Sequence, residues 1–159
     1  MVSDASITAL SGRDIARKVG DGELSAEAVT EAFLDHIAAV DGPVAAWQYL
    51  GADSARRAAR ALDASPDKGL LAGIPVGVKD VIDTSDMPTG YGSKVYEGTQ
   101  PVWDAPCVAL TRAAGGIILG VAQTVGAAIN PEWQILSGHL AFLVVLLFKP
   151  RGLFPRAVD

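Results

Sequence analysis

The chain has 159 residues, half of them hydrophobic, and a formal net charge of −5. That length allows one packed domain, and the acidic balance supplies no basic stripe to neutralise a nucleic acid backbone. Cys107 is the only cysteine and His36 and His139 are the only histidines, which leaves no internal disulfide and no zinc ligand set.

The charges are unevenly spread. Residues 1–112 hold 10 basic and 16 acidic side chains, whereas residues 113–159 hold only Glu132, Lys149, Arg151, Arg156 and Asp159. The composition changes near Arg112. The opening "MVSDASITAL" has no basic n-region of a signal peptide, so the N-terminal part is expected in the cytoplasm.

In chain order, Ser11 followed by Asp14 reads as a capping pair, with a short helix through Val19 and Gly20 as its stop. Ser25 opens a longer helix on which Val29, Phe33, Ile37 and Val40 recur at helical spacing, and Asp41-Gly42 ends it. A third, alanine-rich helix covers about Ala52 to Ala64, closed by Ser65-Pro66. The run "LLAGIPVGVKD" is too broken by glycine and proline for a helix and predicts a buried strand. "DTSDMPTGYGS" is a polar loop, and Asp104 with Pro106 starts a helix that Gly115 stops. Helices, strand, loop and helix give an α/β class.

Lys79 closes the strand run beside Asp80. The segment is no phosphate loop, because G-x-x-x-x-G-K-[ST] is absent and Pro75 interrupts it. Asp80, Asp83 and Asp86 do not match a calcium loop and are expected to face solvent. On spacing alone, Lys79 is a solvated strand-end lysine with an acidic neighbour.

Three separated blocks, "ELSAEAVTEAFLDHIAAVD", "LAGIPVGVKDVIDTSDMPTGYGS" and "DAPCVALTRAAGGIILG", resemble in order the N-terminal part of the amidase signature hydrolases. The resemblance covers roughly residues 5–120. It implies an incomplete α/β amidase region made of helices plus the first strand or strands, with a small-molecule amide as the substrate class and no cofactor. It places Lys79 at the family's catalytic lysine, the base of a Ser–cis-Ser–Lys triad. In such a triad a neutral amine takes a proton through a bridging serine, and the nucleophilic serine attacks the amide carbonyl. Backbone N–H groups then hold the oxyanion.

The matching serines are not found. After Lys79 the serines are Ser85, Ser93 and Ser137, and none lies in a run of the "GGSSGGS" kind. Val81 stands where the family usually has Asn, Asp86 where Gly is common, and Val121 where Lys normally follows "ILG". The resemblance therefore implies a base without its nucleophile, and a chain that hydrolyses no amide alone.

Residues 113–159 read differently. Ala113 to Ile129 carries no formal charge, nor does Trp133 to Phe148, and the two are joined by "NPE". As helices each would be about 25 Å long, a little short of a hydrocarbon core. Gly116 and Gly120 form G-x-x-x-G, while Lys149, Arg151 and Arg156 follow the second segment. "GGIILGVAQTVGAAINPEWQILSGHLAFLVVLLFKPRGLFPR" resembles the C-terminal end of branched-chain amino acid ABC transporter permeases. That implies a two-helix hydrophobic hairpin over 113–148, a membrane partner, and a membrane-associated protein with residues 1–112 in the cytoplasm. The segment "AAGGIILG" fits both resemblances: a helix-to-strand turn in the first, the start of a membrane helix in the second.

Overall fold

The computed structural model describes residues 7–123. Four α-helices pack around a three-stranded sheet. Helix α1 is Gly12–Gly20, α2 is Ala26–Val44, α3 is Ala52–Ala64 and α4 is Pro106–Ala113. Strand β1 is Trp47–Leu50, β2 is Pro75–Lys79 and β3 is Ile117–Ala122, in the order β1-β3-β2.

The helix starts follow from their caps. Ser11 Oγ accepts the Asp14 N–H at 3.2 Å and donates to the Asp14 carboxylate at 2.6 Å. Ser25 Oγ accepts the Ala28 N–H at 3.0 Å. The first turn of α2 has a second acceptor from outside: Asp63, near the end of α3, takes the Ala26 and Glu27 N–H groups at 2.7 and 3.0 Å. A carboxylate there meets the positive end of the helix and fixes where α3 ends against α2. The small buried Ala55 and Ala59 let the two helices approach closely. On the wet side, Arg56 pairs with Glu31 and Arg60 with Glu27.

Helix α2 runs past the expected stop at Asp41-Gly42 to Val44. Pro43 sits in the last turn, and Asp41 closes the end twice: its carbonyl accepts the Ala45 N–H at 2.6 Å and its carboxylate the Ala46 N–H at 2.8 Å. Ala45 takes the left-handed conformation, with φ 49°, that turns the chain into β1.

Strand β3 is the centre of the sheet. It pairs antiparallel with β1, Trp47 opposite Ala122 and Leu50 opposite Gly120, and parallel with β2, Pro75 opposite Ile117 and Lys79 opposite Ala122. It is buried along almost its whole length. On one face Ile117 and Leu119 meet Val19, Val29, Ala32, Ala55 and Ala59 of the helices. On the other, Ile118 and Val121 meet Val78, Met87 and Val108.

Gly115 turns α4 into β3 at φ 90°, and a Cβ there would lie 2.0 Å from the Lys68 carbonyl oxygen. Only glycine fits both the angle and the approach. Of the two readings of "AAGGIILG", the helix-to-strand turn is the one observed. Residues 113–123 close the sheet instead of opening a membrane helix, because the backbone groups of Ile117–Ala122 are paired on both sides by β1 and β2. No helix among the described residues is long and apolar enough to cross a membrane. The remainder of the expected hairpin, residues 124–148, and the permease-like stretch beyond residue 123 lie outside the described residues.

Candidate functional site

Lys79 is the last residue of β2, exposed, at the carboxyl end of a strand paired in parallel with the central β3. In open α/β sheets this end is where ligands gather. Strand alternation puts Lys79 on the face of Pro75 and Gly77, opposite the buried Val78. Its ammonium makes no hydrogen bond or ion pair among the described residues.

Asp80 departs from expectation. It is buried, 3% exposed, and not a solvated neighbour of the lysine. Its backbone N–H continues the sheet by donating to the Ala122 carbonyl at 2.9 Å, while its carboxylate turns back to accept the Gly90 N–H at 2.6 Å and the Gly92 N–H at 3.3 Å. Burying a carboxylate is tolerable only with such partners. A Cβ on Gly90 would come within 3.1 Å of the Asp80 carboxylate, a close approach that the glycine accommodates.

The other acids of the loop are also tied. Asp83 accepts the Tyr91 hydroxyl proton, and this bond pushes the tyrosine pKa up. Asp104 accepts from the Ser85 N–H at 2.7 Å and the Ser85 hydroxyl at 2.9 Å. Arg112 of α4 bridges two carboxylates: its Nη2 donates to Asp86 at 2.6 Å, and its Nε lies 3.0 Å from Asp104 as an ion pair without hydrogen-bond alignment. Burial alone would raise the Asp104 pKa, but the Ser85 bonds and the Arg112 charge outweigh it and hold it below the usual range. Asp80, Asp83 and Asp104 thus clamp residues 81–105 over the carboxyl end of the sheet.

Neither described serine after Lys79 is placed as a nucleophile. Ser85 is spent on Asp104, and Ser93 Oγ accepts the Val95 N–H at 3.3 Å to cap a 3₁₀ turn at Lys94–Tyr96. Ser137 lies outside the described residues. No group of three or more His, Cys, Asp and Glu among the described residues is placed to hold a metal ion. The clamp is not legible in the sequence, because its partners are backbone amides 10 and 12 residues downstream of Asp80.

A family described as Amidase matches residues 28–131, about two thirds of the chain. The chain belongs to the amidase family. Its amidase region is 49% identical over 111 residues to the A subunit of the glutamyl-tRNA(Gln) amidotransferase of Acidothermus cellulolyticus, covering 67% of this chain and 22% of that protein. It is 41% identical over 125 residues to the protein of the same name from Corynebacterium diphtheriae, covering 76% and 25%. Among solved structures it resembles the peptide amidase of Stenotrophomonas maltophilia, at a TM-score of 0.67 and 34% identity over 72% of this chain and 25% of that one. The fold also matches a fatty acid amide hydrolase, at a TM-score of 0.72 and 22% identity over 78% of this chain and 23% of that one. The chain thus spans about a quarter of the length of the amidases it matches.

Proposed function

We propose that this chain carries the lysine base of an amide hydrolase, Lys79, and is not catalytically competent without serines supplied by another segment. The observation that supports this reading is Lys79 at the carboxyl end of β2, inside the matched amidase region, with both following loop serines engaged elsewhere. In the reaction proposed, the Lys79 amine accepts a proton from a bridging serine, which in turn takes the proton of the nucleophilic serine. That serine oxygen bonds to the amide carbon and the C–N bond breaks. The amine leaves with the returned proton, and water then releases the acid. A base by itself activates nothing in this scheme. The relatives are named for amide chemistry, so a small-molecule amide is the proposed substrate class.

The purified chain is tested against simple amides such as acetamide and benzamide. It is assayed alone and mixed with a polypeptide carrying the serine-bearing part of a related amidotransferase. Alone, hydrolysis is expected at background, and turnover alone that disappears in Lys79→Ala would overturn the claim of incompetence. In the mixture, turnover is expected to depend on Lys79, and turnover that persists in Lys79→Ala removes the lysine from the mechanism.

A further inference from the structure

Gly77 of β2 and Gly120 of β3 are register partners, and one aromatic ring lies over both. A Cβ on Gly120 would stand 3.0 Å from Trp47 Cε3, and a Cβ on Gly77 would stand 2.9 Å from Trp47 Cη2. The benzo edge of the indole, rooted on β1, therefore crosses the central strand and ends over β2. Glycine within a strand weakens it unless something approaches closely; over Gly77 the approaching group is Trp47, and over Gly120 it is the Tyr49 carbonyl oxygen, 2.3 Å from where a Cβ would stand, with the Trp47 ring beside it. The ring is partly buried against the helix-side cluster that also holds Phe33 and Ile37.

Lys79 stands on this same face, two residues and about 7 Å beyond Gly77. Without the ring, the space above Gly77 would be an apolar slot, open to the four-carbon stem of the lysine, and long amphipathic stems lie along such surfaces readily. We propose that Trp47 is the positioning residue for Lys79: by filling the slot over Gly77 it bars the stem from folding back along β2, so the amine projects past the strand end. The relevance to catalysis rests on the reading of Lys79 as the base, whereas the positioning itself does not.

The test is the rate at which trinitrobenzenesulfonate modifies Lys79 in the full chain. It is followed by peptide mass spectrometry with Lys18 and Lys94 as internal references. Trp47→Ala should slow labelling of Lys79 about threefold relative to the references, the scale of one side-chain rotamer preference. Trp47→Phe, which keeps an aromatic plate, should restore most of the rate. Adding Gly77→Ala to Trp47→Ala returns a methyl to the vacated slot and should restore part of it. The same Gly77→Ala change should destabilise the chain when Trp47 is present and be tolerated when it is not. If Trp47→Ala does not fold, Trp47→Leu empties the far end of the slot over Gly77 and should also slow labelling. Unchanged or faster labelling in the slot-emptying variants, or an equal cost of Gly77→Ala in both backgrounds, overturns the proposal. Because labelling needs no turnover, an inactive mixture in the hydrolysis assay leaves this result standing, and the reverse also holds.

Discussion

The two faces of the sheet are built from different materials. On the helix side, aliphatic side chains of α1, α2 and α3 such as Val19, Val29 and Ala59 share one buried cluster with Ile117 and Leu119. On the other side, the buried core is five side chains, Val78, Met87, Val108, Ile118 and Val121, and the long segment 81–105 is held by carboxylates taking backbone and side-chain protons. Apolar burial is non-directional and indifferent to pH, whereas a carboxylate clamp fixes particular atoms and depends on staying ionised. The contrast explains how a loop with little core can still be held over the end of β2.

The largest expected effect abolishes the comparison altogether. Gly115→Ala places a methyl against the Lys68 carbonyl and demands φ 90° of a residue that resists it, so strain and overpacking should together cost roughly 4 kcal/mol. Both faces depend on β3 entering at this point, so a urea titration should show loss of helical and aromatic signals together. Separate transitions would mean that the faces are less coupled than the shared strand implies.

Asp80→Ala acts on one face only. It leaves the Gly90 and Gly92 N–H groups without their acceptor, at a cost of about 3 kcal/mol. Hydrogen exchange should accelerate at Gly90 and Gly92 while the amides of α2 and α3 keep their protection. Uniform loss of protection would show that the clamp supports the whole fold.

Acid sharpens the difference further. The Asp104 pKa is lowered on folding, so its contribution is fully present above its unfolded value of about 3.9 and is lost as pH falls below that toward the folded value. Glu31 is also lowered, first through its hydrogen bonds to Arg56, but its side chain is 37% exposed and solvent screens the pair. Lowering the pH below about 3.9 should therefore release the Ser85 amide to exchange, and Asp104→Asn should remove that pH dependence. The smallest effect belongs to the helix side's wet surface: Arg60→Ala deletes a pair with Glu27 at a 59% exposed arginine and should shift stability by no more than about 0.5 kcal/mol in thermal melts.

Legibility in the sequence follows the same division. Helix α3, the serine caps of α1 and α2, and the Gly115 stop are visible there because propensity, capping and periodicity are local. Strand β1 is not visible: "WQYL" is four residues long, follows a helix almost directly and has no alternation of its own, so it exists only because β3 offers it an edge. Strand β3 is visible but ambiguous, since an uncharged run buried on both faces has the composition of a lipid-facing helix, and only its pairing partners separate the two. The strand-end position of Lys79 can be read from the sequence, whereas the burial of Asp80 cannot, because a carboxylate next to a lysine gives no hint that distant glycine amides will enclose it.

The strand order has a consequence in time. Synthesis delivers β1 and β2 first, and neither neighbours the other; both wait for β3, whose Ala122 must find Trp47 across 74 residues of intervening chain. Until that strand emerges, a nascent chain holds helices with one greasy side uncovered and two strands with no template, which is the state that invites chaperones and aggregation. A chain halted at residue 112 would stay in that state however long it waited. Completion of β3 is therefore the step that joins the described sheet, and ribosome-bound chains lengthened stepwise through residues 112–123, with allowance for the exit tunnel, should gain protease resistance abruptly.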